Sequence, residues 1–225
     1  VLISILFFST LSIAQQTPMK VGLTLGGGGA KGLAHIGILQ AIDSAGLNVD
    51  YVTGTSMGSI VGAMYAVGYS GNQIEVIARN IDWGRLFSGK PLMSNVNITE
   101  KDEFENYALE LPFEKGGFKI GNGLIEGQEI WINFHEIFMP VYNVKNFDDF
   151  SIPFRCVATD LGTGQPVILH NGEVVNAIRA SMAIPSIFTT VDYEDTKLID
   201  GGVVRNFPIS EAVAMGANYT IGVNV

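Results

Sequence analysis

The sequence contains few of the residues that cross-link or charge a protein. It has one cysteine, Cys156, so an internal disulfide is excluded, and the apolar strand pattern around Cys156 predicts a small buried side chain. Charged residues are 16% of the chain, and the formal net charge of -9 argues against a nucleic-acid partner. The charge leaves a lipid surface open as a partner, since an apolar patch can dock on a membrane.

The N-terminus lacks a membrane-spanning run. Residues Val1 to Ile13 are apolar with small hydroxyl residues, but they are too few to span a bilayer. The small-x-small pattern Ser12-Ile13-Ala14 before Gln15 is typical of a signal-peptidase site. We therefore expect residues 1–14 to be a truncated signal peptide, and the protein to be exported to the periplasm, the outer membrane or the cell surface. A buried N-terminal strand is the alternative.

The 225 residues are 47% hydrophobic, which predicts one globular domain with a large core. Apolar strand patterns alternate with helical patterns, and this alternation predicts an α/β fold with a parallel or mixed sheet between helices. A third helix is expected after Ser70, with Ile74, Val76 and Ile77 on its apolar side. The remaining predicted strands are 21–25, 51–53, 152–159, 167–169, 187–191, 197–199 and 219–225, and further helices are predicted at 126–138, 174–182 and 208–215.

Two glycine-rich corners organise the N-terminal part of the chain. The first, Gly26 to Gly29, follows an apolar strand pattern and leads through Ala30-Lys31-Gly32 into a helical pattern. The second is Gly54-Thr55-Ser56-Met57-Gly58, again between a strand pattern and a helical pattern. This Gly-x-Ser-x-Gly pattern is that of a nucleophile elbow.

The second corner predicts a catalytic serine. At a strained strand-to-helix turn the Ser56 hydroxyl projects clear of the sheet, and glycines at 54 and 58 let backbone and substrate come close. The Met57 N–H lies at the helix start, and the loop Gly27 to Gly29 supplies further N–H groups. We expect these donors to form an oxyanion hole for acyl transfer. A plain glycine-rich turn with an N-cap serine is the alternative.

The first corner also matches nucleotide-binding patterns in part. Gly27-x-Gly29-x-x-Gly32 fits the dinucleotide fingerprint, and Asp50 follows at about the expected spacing. The fingerprint acid belongs at the end of the second strand, however, whereas Asp50 precedes that strand. A phosphate-binding P-loop is excluded, because Lys31 stands between Ala30 and Gly32 rather than in Gly-Lys-Ser/Thr.

Histidine is scarce, which bears on how the serine is activated. In the usual hydrolase order a histidine follows the acid, but the three histidines, His35, His135 and His170, all precede Asp200. Asp200 ends a predicted strand and is followed by Gly201-Gly202. We therefore expect a histidine-free pair, with Asp200 as the base for Ser56. A turn-capping aspartate is the alternative for Asp200.

Four blocks, in this order, resemble the patatin-like phospholipase family: Gly27-Gly28-Gly29-Ala30-Lys31-Gly32, Gly54-Thr55-Ser56-Met57-Gly58, Arg179-Ala180-Ser181-Met182-Ala183-Ile184-Pro185 and Asp200-Gly201-Gly202. The resemblance covers residues 20–225 and implies a three-layer α/β/α sandwich with a mostly parallel central sheet. It implies a dyad of nucleophile Ser56 and base Asp200, an oxyanion hole from the glycine loop, and hydrolysis of fatty-acyl esters. We expect a bacterial, exported member, whose parent protein can continue into an outer-membrane barrel.

The resemblance is weakest over residues 81–145. Apolar residues there are scattered without a clean period, and either an insertion with its own small core or a mobile cap over the serine fits the pattern. We expect no metal or organic cofactor, a phospholipid or other acyl-ester lipid as substrate, and peripheral contact with a membrane. Lys31 fits either a contact with a phosphate head group or a solvated helix start. A non-catalytic lipid-binding module of the same fold is the competing hypothesis.

Overall fold

The structure of the protein is a computed structural model, and it describes residues 18–86, 113–114, 117–118 and 128–225. In these ranges β1 (Val21–Leu25) and β2 (Tyr51–Thr55) come first, and the short strands β3 (Phe113–Glu114) and β4 (Gly117–Phe118) pair with each other. The later strands are β5 (Phe154–Asp160), β6 (Pro166–Leu169), β7 (Val191–Tyr193), β8 (Thr196–Asp200) and β9 (Tyr219–Val223). The helices are α1 (His35–Ser44), α2 (Met57–Ala66), α3 (Gly71–Asn80), α4 (Trp83–Leu86), α5 (Gln128–Phe138), α6 (Val174–Ser181) and α7 (Ile209–Ala214).

The central sheet is mixed. Through hydrogen-bonded neighbours the strands connect in the order β7-β8-β5-β2-β1-β9, and β6 also pairs with β5. The neighbours β9, β1, β2 and β5 run parallel, whereas β6 and β8 run antiparallel to β5, and β7 runs antiparallel to β8. The predicted α/β class is confirmed.

Strands β2 and β8 lie end to end along one edge of β5. Parallel β2 pairs Thr55 with Val157, and antiparallel β8 pairs Asp200 with Ala158, the next residue of β5. The other edge of β5 is occupied over the same residues by β6. The carboxyl ends of β2 and β8 therefore face each other, and the residues at these ends are brought together.

Helices cover both faces of the sheet, because neighbouring residues of a strand point to opposite faces. On one face α2 packs so closely that a Cβ added at Gly62 would lie 3.1 Å from Val52 Cγ1. On the other face a Cβ at Gly22 would lie 2.9 Å from Ala212 Cβ of α7. All ten residues of α2 are buried, as expected of a helix that is apolar on every side. The described residues thus form the predicted three layers.

Helix α3 begins where the sequence predicted. The Ser70 hydroxyl accepts a hydrogen bond from the Gln73 N–H (3.3 Å), and the Gln73 side chain accepts one from the Ser70 N–H (2.9 Å), which completes a capping box. The predicted apolar side of this helix is wrong at Val76, which is 60% exposed. Ile74 and Ala78, four residues apart, face the core instead.

The predicted strand at 187–191 is wrong. The Ile187 and Phe188 N–H groups both donate to Ile184 O, which closes a turn, and Ser186 has a φ of 69°. A segment folded into such a turn cannot extend along a neighbouring strand. Extended pairing starts only at β7, from Val191.

The described part of the predicted cap joins the main core. Along α5, Ile130, Phe134 and Phe138 are buried within the same apolar cluster as the sheet, and the Tyr69 hydroxyl donates to Ile137 O (2.7 Å). The middle of the predicted cap 81–145 and the predicted signal peptide 1–14 lie outside the described residues. No helix in the described ranges is long and apolar enough to cross a bilayer.

Candidate active site

Ser56 forms the turn between β2 and α2. Its backbone has φ 52° and ψ -123°, and a positive φ is uncommon for a residue with a side chain. Such a conformation costs on the order of 1–3 kcal/mol and persists only where the surrounding structure imposes it. The strained strand-to-helix turn is the geometry that Gly-x-Ser-x-Gly predicts for a nucleophile elbow.

The two glycines of this pattern are required by close packing. A Cβ at Gly58 would overlap the Leu25 carbonyl oxygen at the end of β1 and lie 2.6 Å from Gly26 O. A Cβ at Gly54 would lie 2.6 Å from the Gly58 carbonyl carbon. Both neighbours are backbone atoms, which cannot rotate away as side chains do. The glycines therefore allow α2 to start directly against β1 and β2.

Asp200 meets Ser56 at the end of β8. Its carboxyl accepts a hydrogen bond from the Gly202 N–H (2.6 Å) and lies close enough to the Ser56 side chain for that side chain to affect its pKa. Both residues are buried, with 7% of Ser56 and 6% of Asp200 exposed. Burial raises the pKa of Asp200 above its ordinary value, and the interactions with Gly202 and Ser56 oppose this shift without cancelling it. The predicted nucleophile and base thus lie side by side. The raised pKa makes the Asp200 carboxylate a better proton acceptor.

The glycine loop lies beside Ser56, since a Cβ at Gly27 would be 3.0 Å from Ser56 Cβ. The oxyanion-donor role expected for Gly27 is wrong, because the Gly27 N–H already donates to Asn206 O (3.1 Å). Among the described residues, the N–H groups of Gly28, Gly29 and Met57 have no hydrogen-bond acceptor. Gly28 and Gly29 lie at the start of a short 3-10 helix, and Met57 is the first residue of α2, so all three free donors belong to helix N-termini. Of the predicted oxyanion donors, the N–H groups of Gly28, Gly29 and Met57 therefore remain as candidates.

Comparison with known proteins assigns the family. A sequence model of the family described as patatin-like phospholipase matches residues 23–213. The chain belongs to this family. The match includes the glycine loop, Ser56 and Asp200.

Two curated relatives and one solved structure place this patatin-like chain further. It is 30% identical over 205 residues to lysophospholipase NTE1 of Yarrowia lipolytica and 29% identical over 205 residues to that of Meyerozyma guilliermondii, in each case over 91% of this chain and 12% of the relative. The chain therefore spans about an eighth of the length of these relatives, and as eukaryotic proteins they do not support the expected bacterial source. Its fold is similar to VipD from Legionella pneumophila, with a TM-score of 0.50 and 15% identity over 84% of this chain and 47% of that one.

Ser181, in the third block of the patatin-like pattern, supports the elbow. Its hydroxyl oxygen accepts a hydrogen bond from the Ser56 N–H (3.0 Å), and the same hydroxyl donates to Val157 O (2.6 Å). The hydroxyl is buried and links the turn to the middle of β5. The sequence pattern marks this block but assigns no role to Ser181, because the partner N–H is 125 residues away.

Asn206 is the second residue that sequence reasoning missed. Its side-chain amide Nδ2 donates to Gly27 O (2.9 Å), and its backbone carbonyl oxygen accepts a hydrogen bond from the Gly27 N–H. It follows Asp200 by six residues, on the same segment after β8. No local pattern predicts these contacts, because they join residues 179 positions apart.

Of the other residues in the patatin-like blocks, two glycines are required by close packing. A Cβ at Gly32 would lie 2.6 Å from Met57 Cβ, and one at Gly201 would overlap the Val157 carbonyl oxygen. Gly202 supplies the N–H that Asp200 accepts. Lys31 is exposed on the 3-10 helix after the glycine loop.

The three histidines have structural positions. His35 is fully buried and hydrogen bonds through Nε2 to Gly26 O (2.8 Å), which fixes the first carbonyl of the glycine loop. Burial lowers the pKa of His35, so the ring is neutral and Nε2 carries the donated proton. His135 contacts Glu173 across α5 and α6, and His170 is exposed. Neither hydrogen bonds to the Ser56–Asp200 pair.

Asp50 lies at the opposite end of the sheet from the glycine loop. Its carboxylate accepts from the Val21 N–H (2.8 Å) at the start of β1 and pairs with Lys20 (2.6 Å). The loop follows the other end of β1, so Asp50 cannot contact a nucleotide bound there, and the dinucleotide interpretation is wrong. Within the described ranges, no cluster of three or more histidine, cysteine, aspartate or glutamate side chains is placed to hold a metal ion.

Proposed function

We propose that this chain is a serine lipid acyl hydrolase of the phospholipase A or lysophospholipase type. The observation that carries the proposal is the strained Ser56, whose side chain lies by the buried Asp200, together with the free backbone N–H groups of Gly28, Gly29 and Met57. Nucleophile, base and oxyanion donors are the three parts that acyl transfer needs. Membership of the patatin-like family and the relatives named lysophospholipase support the lipid substrate class.

The reaction proceeds in two steps. Asp200 takes the Ser56 proton as Oγ attacks the ester carbonyl carbon, and the N–H groups of Gly28, Gly29 and Met57 stabilise the oxyanion. The carbon–oxygen bond to the alcohol breaks, and the alcohol leaves with the proton. Water then attacks the acyl-serine with Asp200 as base, and the fatty acid is released.

The competing hypothesis is a lipid-binding module of the same fold without turnover. The strained turn at Ser56 weighs against it, because a binding module gains nothing from a conformation that costs stability. A contact site on a membrane and export of the parent protein, as expected from residues 1–14, belong to this proposal. Sedimentation with vesicles tests the first, and N-terminal sequencing of the parent protein from cell fractions tests the second.

The deciding experiment measures fatty acid released from lysophosphatidylcholine and from a short-chain aryl ester, before and after treatment with an organophosphonate. We expect release from both esters, its loss on treatment, and a covalent adduct on Ser56 detected by mass spectrometry. The Ser56→Ala variant is the matched control and should neither release fatty acid nor gain the adduct. Binding of the lipid without release by the native chain would favour the binding module.

A further inference from the structure

We propose that Asn206 is a positioning residue that sets the direction of the Gly28 N–H as an oxyanion donor. The inference rests on the proposed acyl hydrolase function but goes beyond its nucleophile and base. It starts from the two hydrogen bonds by which Asn206 holds Gly27: the backbone oxygen of Asn206 accepts the Gly27 N–H (3.1 Å), and Nδ2 donates to Gly27 O (2.9 Å).

The second of these hydrogen bonds determines where the next N–H points. The Gly27 carbonyl and the Gly28 N–H belong to one planar peptide unit, and this peptide is trans, so the two groups point in opposite directions. With the carbonyl held toward Asn206, the Gly28 N–H is held away from it. Among the described residues this N–H has no acceptor, and it stays available to a substrate oxygen.

Glycine makes this control necessary. A peptide flanked by glycines can rotate with little steric resistance, because neither residue has a Cβ. His35 fixes the carbonyl of the preceding peptide through its hydrogen bond to Gly26 O (2.8 Å). The side chain of Asn206 is the corresponding restraint on the peptide that carries the donor.

The same segment of chain carries the base. A Cβ at Gly202 would lie 2.9 Å both from Asn206 Oδ1 and from Asp200 Oδ1, so both side chains pack against Gly202. The segment is anchored to β2 by a hydrogen bond from Thr55 Oγ1 to Arg205 O (3.0 Å), directly before Asn206. One anchored segment therefore positions both the proton acceptor and the oxyanion donor.

Asn206 is suited to a mutational test because it is exposed, so a smaller side chain leaves no buried cavity. Asn206→Ala removes the donor to Gly27 O. Asn206→Asp keeps the shape but places an acceptor against the carbonyl, which repels it. Thr53→Val is the matched control, because it deletes buried hydrogen bonds to Pro208 O, beyond Asn206, and to Thr24 Oγ1 without touching Gly27.

We expect kcat for ester hydrolysis to fall about tenfold to a hundredfold in Asn206→Ala, which is less than the loss of a whole oxyanion donor. Asn206→Asp should lose more, when the variants are compared on the alkaline plateau of the pH profile, where Asp200 is ionised. A trifluoromethyl ketone, which forms an oxyanion with the serine, should bind more weakly by the same factor as kcat/KM, whereas a non-hydrolysable ether lipid should bind as before. Thr53→Val should keep its kcat and its ketone affinity despite a larger loss of stability.

Two results would overturn the role of Asn206. One is an Asn206→Asp variant that is more active than Asn206→Ala, since packing alone favours the residue of equal shape. The other is an equal loss of affinity for the ketone and the ether lipid. The ¹⁵N and ¹H shifts of the Gly28 amide test its orientation without turnover: they should move in Asn206→Ala but not in Thr53→Val, and an unmoved resonance also overturns the proposal. If they move in a protein that hydrolyses no ester, the orientation stands and the proposed function fails.

Discussion

Ser56 and Asp200 stand at the facing ends of two strands that share one edge of β5. Thr55, the residue before the nucleophile, pairs with Val157, and Asp200 pairs with the next β5 residue, Ala158, so the end of β2 brings Ser56 to the end of β8. Because β8 runs antiparallel to β5, its chain approaches the site from the side opposite to β2. The base is therefore held by the backbone pairing of the sheet rather than by a flexible loop.

The strain at Ser56 predicts a gain of stability when the nucleophile is replaced by glycine. Ser56→Gly removes the hydroxyl and relaxes the positive φ, whereas Ser56→Ala removes the hydroxyl and keeps the strain. We expect both variants to lose ester hydrolysis and the glycine variant to be the more stable by about 1 kcal/mol. Urea unfolding of the two variants measures the difference. Equal or lower stability of the glycine variant would show that the elbow is not strained.

Close packing at Gly58 predicts opposite effects for two glycine-to-alanine changes. Gly58→Ala places a Cβ against the carbonyl oxygens of Leu25 and Gly26 and should destabilise the fold severely. Gly37→Ala lies in α1 with no atom within 4 Å of the new Cβ, and helix propensity should stabilise it by about 1 kcal/mol. Thermal unfolding of both variants tests the pair. A mild effect at Gly58 would mean that α2 can move away from β1.

The sequence was most informative where the fold depends on local patterns. The strand 21–25, the elbow and the cap at Ser70 were predicted at or close to their observed positions, because each follows from spacing within a few residues. The contact between Ser56 and Asp200 was also expected, although the antiparallel direction of β8 was not. Strand direction depends on how distant segments pair, and no local pattern records it.

The details that sequence reasoning missed are contacts between distant residues. The donor role expected for Gly27 failed because Asn206, far along the chain, accepts its N–H. Ser181 was part of a quoted block, but its bond to the Ser56 N–H depends on the packing of α6 against β5. The strand expected at 187–191 failed because a turn at Ser186 overrides an apolar run.

The buried hydroxyl of Ser181 predicts a stability effect that a neighbouring serine lacks. Ser181→Ala leaves the Ser56 N–H without an acceptor in a buried turn, which should cost about 1–3 kcal/mol. Ser59→Ala is the control, because Ser56 O still accepts the Ser59 and Ile60 N–H groups after the Ser59 hydroxyl is lost. We expect Ser181→Ala to be the less stable variant in urea unfolding. The reverse order would remove the elbow support assigned to Ser181.

The buried His35 predicts a pH dependence of stability rather than of catalysis. Its folded pKa is lowered, so as the pH falls below about 6.5 the unfolded chain binds a proton that the folded chain does not. The contribution of His35 to stability is therefore present above this pH and lost as the pH falls toward its folded pKa. His35→Gln, which retains a donor for Gly26 O, should reduce this loss of stability in thermal unfolding measured between pH 5 and pH 8, about the range in which histidine titrates.

Substituting His135 or His170 should leave most of the ester hydrolysis. A loss as large as that of Asp200→Asn would mean that a catalytic triad with a histidine replaces the Ser56–Asp200 pair.

The raised pKa of Asp200 predicts that activity and stability change in opposite directions. Because its folded pKa exceeds its unfolded value, the stability that Asp200 contributes is present below the unfolded pKa, about 3.9, and is lost as the pH rises through the folded pKa. At neutral pH the ionised carboxylate therefore destabilises the fold. Asp200→Asn should lower kcat by roughly two to four orders of magnitude, because the amide cannot accept the Ser56 proton, yet raise the free energy of unfolding. In the native enzyme, activity should fall as the pH drops through the folded pKa.

The control for this last expectation is Asp160→Asn. The pKa of Asp160 is lowered, mainly by a hydrogen bond from the Thr163 N–H, so the ionised carboxylate stabilises the fold. Asp160→Asn should therefore reduce the free energy of unfolding at neutral pH. Unfolding of both variants and the native chain at neutral pH and near pH 4 (about the reference pKa of aspartate) compares the two signs directly. The gain from Asp200→Asn should shrink on acidification, because protonation then neutralises the native carboxylate as well. If Asp200→Asn is the less stable protein at neutral pH, the ionised Asp200 is held favourably by Ser56 and Gly202, and burial does not dominate its pKa.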